Sequence, residues 1–405
     1  IILWCGNNEI ASGWLSWGWK EELPSSVWDD YKKIFHDLLP NVCEKLDPER
    51  LYWPSSPGHS LTPPESDQIY GSGDNHFWGV WHGGDGFDAF EENIGRFLSE
   101  YGMQSFPEIG TIMKFAEEKD LDINSKVMKD RQKASLGTGN LIKYIEDYFS
   151  PQTDFRAIVV LSQIMQAFAI KAAVEIHRRS MPFCMGTLYW QFNDCWPAIS
   201  WSSIDYFGNW KALHYHAKRF FNEIIIVIHE KEERIHISVI NDNHKKVESR
   251  IQFQLSTFEG LLLHEKTFDY TITEASSEVV YSFEKKRYLK GKALSDMFIH
   301  AEISKGKKVV CNNKYYFVVP KDLNLPVSNF NYEAKNVGEM ISIRIQALSF
   351  VYQLYITCNN ADGVFSDNFF DLLAGETITI YFTPSEKSID LKYDFSLNTA
   401  MDISI

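Results

Sequence analysis

The hydrophobic pattern of this chain changes near residue 222, and that change constrains the fold more than any other feature. Before it, short apolar runs alternate with segments of helical periodicity, which favours βα units and a parallel sheet. From about Ile224, polar and apolar residues alternate with period two, which indicates antiparallel β-sandwiches. A proline-flanked stretch, Pro320–Pro326, is the predicted boundary between two sandwich modules.

Five strands and two helices are predicted in the first part. The strands are Ile1–Cys5, Leu51–Trp53, Phe77–Trp81 (the weakest), Phe97–Glu100 and Cys184–Trp190. The clearest helix spans Phe155–Arg179, and a second candidate spans Val27–Leu39. Four alternating segments in the second part predict strands: Arg234–Ile240, Arg250–Leu255, Ile341–Ile345 and Thr377–Tyr381.

Length and composition limit the number of domains and the kinds of partner that this chain can have. A chain of 405 residues predicts two or three domains, and we place them at 1–222, 223–322 and 323–405. The net charge of -14 argues against a nucleic-acid partner. Aromatic residues make up 15% of the chain, and its 12 tryptophans all precede residue 211. Tryptophan suits stacking on sugar rings as well as core packing.

The six cysteines form no CxxC pair, so we predict buried thiols rather than a disulfide framework. No stretch approaches the length of a membrane-spanning helix on inspection of the sequence, and no membrane partner is predicted. No signal peptide is visible. Because the chain opens inside an apparent core strand, we interpret its N-terminus as a cut and give the missing targeting segment no weight.

Two glutamates follow apolar runs at matching places. Glu9 follows Ile1–Cys5 through Gly6-Asn7-Asn8, and Glu100 ends Phe97–Glu100. Strands that end in an acid are how a (β/α)₈ barrel presents reactive groups at its C-terminal face. Two carboxylates facing one pocket suit glycoside hydrolysis. The alternatives are a polar turn for Glu9 and a surface salt bridge for Glu100. Tyr101 is a candidate donor that would keep Glu100 ionised.

Two further segments carry candidate site residues. Trp190, at the end of the fifth predicted strand, is a candidate sugar platform, although a core tryptophan is the commoner reading. His76 and His82 lie in a segment rich in glycine and aromatic residues. With no third ligand at diagnostic spacing, we favour substrate hydrogen bonding or packing for both histidines and predict no metal site.

Five short motifs occur along the chain in a fixed order: Trp4–Glu9, Gly73–Trp78, Ser99–Gly102, Tyr189–Asp194 and Phe365–Leu372. These motifs resemble those of the β-mannosidases, in the glycoside hydrolase family (family 2) that includes β-galactosidase and β-glucuronidase. The resemblance spans the whole chain, and the interval between Glu9 and Glu100 fits the family's fourth and seventh barrel strands. It implies the C-terminal part of a (β/α)₈ TIM barrel, with about five strands present, followed by two immunoglobulin-like sandwiches.

The resemblance also implies a retaining mechanism that removes non-reducing terminal β-mannose from oligosaccharides. Glu9 would be the acid/base and Glu100 the nucleophile. Asn8 would contact the hydroxyl at C2, and Trp190 would form the floor of the sugar site. Trp17 and His82 are weaker candidates for the pocket wall. No cofactor is implied.

The chain departs from the family pattern because the N-terminal domains and first three barrel strands are not in it. We expect missing N-terminal domains to complete the barrel and the pocket. Other β-glycosides, endo-acting cleavage, and a sugar-binding fragment without activity remain alternatives. A periplasmic, secreted or lysosomal setting would fit glycan degradation, while unpaired cysteines also fit a cytoplasm.

Overall fold

A computed structural model describes residues 1–58, 73–288, 291–386 and 392–402. The chain forms two compact units. Unit 1 comprises Ile1–Tyr101 and Ile176–Trp190, and unit 2 comprises Gly102–Glu175 and Gln191–Ile405. The predicted bounds 1–222, 223–322 and 323–405 stay a prediction.

Unit 1 is built around parallel strand pairs. β1 pairs in parallel with β2, and β3 pairs in parallel with β4. The strands are β1 (Leu3–Cys5), β2 (Leu51–Trp53), β3 (Asn75–His76) and β4 (Leu98–Glu100). Among the described residues these ladders do not close into a barrel. The parallel arrangement predicted from the sequence is therefore present in pairs, and the complete barrel stays a prediction.

Two of the five predicted strands need correction. The third was placed at Phe77–Trp81, but the strand is Asn75–His76, and Gly79–Gly83 forms a turn in which Val80 and Trp81 have non-helical backbone angles. Val80 and Trp81 are buried in that turn, so their apolar character reflects packing without a strand. The fifth, Cys184–Trp190, contains no assigned strand. It still lies parallel to β4, because Leu98 N–H donates to Gly186 O and Leu188 N–H donates to Leu98 O.

Helices connect the strands of unit 1. They are α1 (Ile10–Ser16), α2 (Trp19–Glu22), α3 (Ser26–Lys32), α4 (Leu39–Leu46) and α5 (Ala89–Glu92). A π-helical segment, Lys33–Leu38, joins α3 to α4. The predicted helix Val27–Leu39 is thus present, and the helical path continues to Leu46.

The remaining helices lie in unit 2, except that the last residues of the longest one, from Ile176, belong to unit 1. They are α6 (Ile109–Ile112), α7 (Lys126–Arg131), α8 (Gly137–Tyr148), α9 (Phe155–Arg179), α10 (Ala212–Phe220) and α11 (Lys285–Tyr288). The prediction of α9 is confirmed at both ends.

The expectation that no stretch approaches membrane-spanning length was wrong for α9. Among the described residues this helix alone is long and apolar enough, with 25 residues and a mean hydropathy of 1.8 over its most apolar 18-residue stretch. Its most apolar window is 78% buried inside the protein, so the apolar residues pack on other parts of the chain. Isolated polar residues such as Gln163 and Gln166 interrupt the pattern but are themselves buried.

The described residues of the first sandwich form seven antiparallel strands in two sheets, with orders β5-β6-β9 and β11-β10-β7-β8. The strands are β5 (Ile224–Lys231), β6 (Arg234–Asn241), β7 (Val247–Thr257), β8 (Leu262–Ile272), β9 (Ser276–Glu284), β10 (Met297–Lys305) and β11 (Lys308–Tyr316). Ile237 and Val239 from one sheet and Ile251 and Phe253 from the other share one core. The period-two alternation arises because alternate side chains face that core.

The second sandwich repeats this arrangement, with sheet orders β12-β13-β17-β15 and β16-β14-β18. Its strands are β12 (Phe330–Val337), β13 (Met340–Ala347), β14 (Val351–Cys358), β15 (Gly363–Phe365), β16 (Phe370–Leu372), β17 (Thr377–Pro384) and β18 (Phe395–Thr399). In β13 the residues Ile341, Ile343 and Ile345 are buried. The antiparallel sandwiches predicted from the sequence are confirmed.

The motif Phe365–Leu372 acts within unit 2 as a connection to α10. Arg219 of α10 donates to the Asp367 carboxylate and, at 2.7 Å, to the carbonyl of Phe369. The Asn368 side chain pairs with both backbone groups of Ile356 in β14. The motif therefore anchors the second sandwich to the helix that precedes the first.

The cysteines are all free thiols, and the prediction of burial holds for only some of them. Cys184 is buried, whereas Cys5 and Cys195 are exposed. Cys5 lies on β1, a strand that is exposed along its whole length, so the residue type alone did not determine its burial.

Candidate active site

Glu9 is placed where β1 meets α1. Gly6 N–H donates to Trp53 O at 2.8 Å, and a Cβ on Gly6 would lie 2.4 Å from Pro54 O, so only glycine allows this close passage. Asn7 Oδ1 then accepts the Ile10 N–H at 3.2 Å, which satisfies a free donor at the start of α1.

The backbone of Glu9 itself lies in the left-handed region, with φ of 60°. That conformation is uncommon for a residue with a side chain and concentrates at functional sites. The Glu9 N–H donates to Ser56 O at 2.7 Å, which helps to hold the turn. The side chain is 21% exposed.

Glu100 is the last residue of β4 and is more enclosed. Its side chain is 11% exposed, and its backbone carbonyl accepts the Phe77 N–H at 2.9 Å from the segment that follows β3. The neighbouring Tyr101 carbonyl accepts the Trp190 N–H at 2.8 Å. The end of β4 is therefore fixed on both sides by backbone hydrogen bonds.

His76 brings the two glutamates together. Its Nδ1 lies 2.7 Å from Glu9 Oε1 and 3.7 Å from Glu100 Oε2. The three polar atoms lie within 4.8 Å of one another. The structure thus places the two predicted carboxylates at one site, with an imidazole between them.

Polar groups also contact His76 on the side of the ring that faces away from Glu9. The hydroxyl of Ser56 lies 3.0 Å from His76 Nε2 and 2.5 Å from Asp74 Oδ2. Ser99 donates to the same oxygen at 2.6 Å, and the Gly58 N–H donates to Asp74 Oδ1 at 2.9 Å. His76 is 5% exposed and is held at both ring nitrogens.

The electrostatics of Glu100 are set mainly by its enclosure. Burial raises the pKa of Glu100 above its ordinary value of 4.5, and the neighbouring Glu9 charge raises it further. His76 and a hydrogen bond from the Trp78 side chain lower it, but by less than burial raises it. Glu100 is consequently harder to ionise than a free glutamate.

The predicted role of Tyr101 as a donor to Glu100 is wrong. Its hydroxyl instead pairs with Thr187 Oγ1 at 2.6 Å and is fully buried. Consecutive residues of a strand point to opposite faces, so Tyr101 faces away from Glu100. Trp78 supplies the donor that the sequence analysis assigned to Tyr101.

Asn8 and His82 lie near Glu9. Asn8 is exposed next to Glu9 and forms a backbone bridge with Ser56. His82 is exposed and packs on the Trp78 ring at 5.0 Å between centroids. Partial desolvation lowers the pKa of His82, and the Glu9 charge raises it. Both are positioned beside the candidate acid/base, and their roles stay predictions.

The two predicted tryptophans are exposed. Trp190 is 43% exposed and is tied by its backbone to the residue after Glu100. Trp17 is 52% exposed at the C-terminal end of α1, where its ring meets Trp19 edge to face at 5.6 Å. An exposed indole beside β4 suits a sugar platform, whereas no contact places Trp17 beside the carboxylates.

Glu9, His76 and Glu100 also have donor atoms that could bind a cation. The sequence spacing gave no third ligand, because Glu9 and Glu100 lie far from His76 along the chain. However, His76 Nδ1 and Glu9 Oε1 are already at hydrogen-bond distance from each other. This contact suits proton transfer, and the absence of a metal site stays a prediction.

Sequence reasoning missed Ser56, Asp74 and Trp78 as members of the site. Asp74 and Trp78 lie inside the recognised segment Gly73–Trp78, so the signal was present but unassigned. Ser56 follows β2 and has no pattern of its own. It reaches His76 where the segment after β2 meets the start of β3, at the backbone bridge between Gly58 and Asp74.

Known proteins resemble this chain in both sequence and fold. A family model described as "Mannosidase Ig/CBM-like domain" matches residues 233–322, and one described as "Ig-fold domain" matches residues 325–403. The β-mannosidase of Capra hircus is 28% identical over 99% of this chain and 49% of its own length. The chain is a relative of the β-mannosidases.

Solved structures extend the likeness to three dimensions. The crystal structure of the β-D-mannosidase from Dictyoglomus thermophilum has a TM-score of 0.86 and 31% identity, over 98% of this chain and 48% of that one. An exo-chitosanase from Amycolatopsis orientalis, at 14% identity, shares the fold with a TM-score of 0.69 over 89% of this chain and 48% of its own. The chain spans about half the length of the β-mannosidases that it matches.

Proposed function

We propose that this chain carries the catalytic carboxylates of a retaining glycoside hydrolase that removes non-reducing terminal β-mannose from oligosaccharides. The observation that carries the proposal is the approach of Glu9 and Glu100, whose nearest polar atoms lie within 4.8 Å. Retaining enzymes place their carboxyl groups about 5–5.5 Å apart, and inverting enzymes leave about 6.5–9.5 Å for a water molecule. The short separation favours direct attack by one carboxylate.

The environments of the two glutamates support distinct roles. Glu100 ends a strand and is nearly enclosed, which suits a nucleophile held against the anomeric carbon. Glu9 is more exposed and contacts His76, which suits a group that exchanges its proton with a leaving group and then with water. Because enclosure raises the pKa of Glu100, the His76 and Trp78 contacts are what favour its ionised form.

In the proposed reaction, Glu9 protonates the glycosidic oxygen while the Glu100 carboxylate attacks the anomeric carbon and the glycosidic bond breaks. Water then attacks the same carbon, Glu9 takes its proton, and the ester bond to Glu100 breaks. Asn8 contacts the hydroxyl at C2, and Trp190 stacks on the sugar ring.

We further propose that additional polypeptide completes the barrel around this site. Leu3 and Trp4 of β1 are exposed, as is Leu51 of β2. An apolar strand with an open face and edge is normally covered. Such cover would also enclose Glu9 and complete the sugar pocket.

The first test is incubation with 2-deoxy-2-fluoro-β-mannosyl fluoride, followed by intact mass and peptide mapping. The expected result is one fluorosugar adduct on Glu100, absent in Glu100→Gln and retained in Glu92→Gln, which alters an exposed glutamate of the same unit. An adduct on another residue would overturn the assignment of the nucleophile.

Labelling of the full-length protein but not of this chain would support completion of the site by further polypeptide. Absence of an adduct in both would reject mannoside cleavage by this route.

A second candidate is the same chemistry on another β-glycoside, because the exo-chitosanase shares the fold. A panel of aryl β-glycosides separates the candidates. Preferential turnover of the mannoside supports the proposal, and preference for the glucosaminide, glucuronide or galactoside replaces it. Binding of mannosides without turnover by the full-length protein would favour a non-catalytic sugar-binding fragment.

A further inference from the structure

We propose that Asp74 and Ser56 fix the tautomer of His76, and that this keeps one proton in the contact between His76 and Glu9. His76 is then a positioning residue for the acid/base. The reaction-level consequence rests on the proposed function, whereas the tautomer itself does not.

Among the described residues, Asp74 has four hydrogen-bond partners for its side chain, and all four can donate. Its Oδ1 receives the Gly58 N–H at 2.9 Å and the Trp53 indole N–H at 3.2 Å. Neither of these groups can accept. Its Oδ2 lies 2.5 Å from the Ser56 hydroxyl and 2.6 Å from the Ser99 hydroxyl. An ionised carboxylate satisfies all four contacts as an acceptor.

The direction of the Ser56 hydrogen bond follows from this. Ser56 has a single hydroxyl proton, and its 2.5 Å contact with Asp74 uses that proton. The Ser56 oxygen can therefore only accept from His76 Nε2, which lies 3.0 Å away. Nε2 must then carry a proton, because two lone pairs facing each other at that distance would repel.

The state of Nδ1 follows in turn. With Nε2 protonated, a neutral His76 has a lone pair on Nδ1, which lies 2.7 Å from Glu9 Oε1. An ionised Glu9 would repel that lone pair, so the contact needs one shared proton. The proton lies either on Glu9, as a carboxylic acid, or on Nδ1, as an imidazolium between two carboxylates.

This arrangement explains how Glu9 could act first as an acid and then as a base. After Glu9 gives its proton to the leaving group, its carboxylate faces the Nδ1 lone pair of His76. The repulsion is relieved when Glu9 takes a proton from the attacking water. The charged or titratable groups around the contact are Glu100, Asp74 and His82. Of these, Glu100 also favours a proton in the contact, because its charge attracts an imidazolium.

The test measures the tautomer directly in this chain by two-bond proton–nitrogen NMR of ¹⁵N-histidine protein. His76 signals are assigned by their loss in His76→Gln. At a pH where the contact has lost its proton, the expected wild-type form is the Nε2–H tautomer. A wild-type Nδ1–H tautomer would overturn the proposal outright.

Two variants test whether Ser56 and Asp74 fix the tautomer of His76. Ser56→Ala removes the acceptor for Nε2–H, and the expected result is conversion to the Nδ1–H tautomer, which donates to the Glu9 carboxylate. Asp74→Asn presents an amide donor to Ser56, so the Ser56 hydroxyl turns toward Nε2 and the same conversion is expected.

Ser99→Ala is the matched control, because Ser99 donates to the same Asp74 oxygen and makes no contact with His76. It should leave the Nε2–H tautomer unchanged. No conversion in folded Ser56→Ala or Asp74→Asn, or equal conversion in Ser99→Ala, would overturn the proposal. None of these readouts depends on turnover, so failure of the proposed function would leave the result intact.

Discussion

His76 Nδ1 lies 2.7 Å from Glu9 Oε1, although His76 belongs to β3 and Glu9 to the turn after β1. Two separate parallel pairs of strands, β1 with β2 and β3 with β4, each bring part of this contact into place. The site therefore depends on several elements of unit 1. Single substitutions in different elements should change different properties of the protein.

Replacing Glu100 should abolish the proposed reaction. In the full-length protein, Glu100→Ala is expected to lower turnover of an aryl β-mannoside by at least about 10³-fold, because water does not replace a covalent nucleophile. Glu92→Gln should retain full turnover. Near-full activity of Glu100→Ala would reject the assignment.

The pH dependence of labelling should report the environment of Glu100. Burial raises the pKa of Glu100 above 4.5, and only the ionised form can attack. The rate of fluorosugar labelling should therefore fall as pH is lowered through a midpoint above 4.5.

Trp78→Phe removes a hydrogen bond that lowers the pKa of Glu100, so it should move this midpoint to higher pH. A midpoint that is unchanged or lower in Trp78→Phe would contradict the assigned contact.

Two ionisable groups of unit 2, Glu108 and Lys211, should make stability depend on pH. Burial raises the pKa of Glu108 to about 7 from 4.5, and burial lowers the pKa of Lys211 to about 8 from 10.5. Between pH 4.5 and about 7 the folded state binds more protons at Glu108 than the unfolded chain, so this contribution to stability falls as pH rises. Between about pH 8 and 10.5 the folded state binds fewer at Lys211, so stability rises.

Glu108→Gln tests that sign, because glutamine mimics the protonated carboxyl. Its melting temperature relative to the wild type should increase from pH 5 to pH 8, as only the wild type must ionise a buried group. Glu259→Gln, which changes a surface glutamate of the same unit, should show no such trend. A constant difference for Glu108→Gln across this range would contradict the prediction.

The connection between α10 and the second sandwich should carry measurable stability. Arg219 contacts the Asp367 carboxylate and the carbonyls of Asn368 and Phe369. Arg219→Lys retains the charge but loses the fork of donors, so we expect a loss of about 1–3 kcal/mol in the free energy of unfolding.

The matched control is Arg250→Lys, whose pair with Asp269 is largely exposed. It should change stability by less than about 0.5 kcal/mol. Denaturant titrations of both variants provide the comparison. Equal effects would mean that the Phe365–Leu372 motif does not anchor the helix.

Elements whose side chains follow one clear period could be predicted from the sequence. α9 was predicted at both ends because its apolar residues recur at helical spacing over many turns. The alternating segments of the sandwiches became strands because alternate residues enter a shared core. Glu9 and Glu100 were likewise identified from their places after apolar runs, and the structure brings them together.

The side chains that surround Glu9 and Glu100 depend on how distant segments of the chain pack together. Tyr101 adjoins Glu100 in sequence yet pairs with Thr187, because the strand turns successive side chains to opposite faces. His76 reaches Glu100 from β3, and Trp78 reaches it from the turn after β3. Ser56 reaches His76 from the segment after β2. Local periodicity predicts which face of a helix or strand a residue lies on. The parallel pairing of distant strands determines which side chains contact one another at the site. That pairing depends on long-range contacts that no short stretch of sequence encodes.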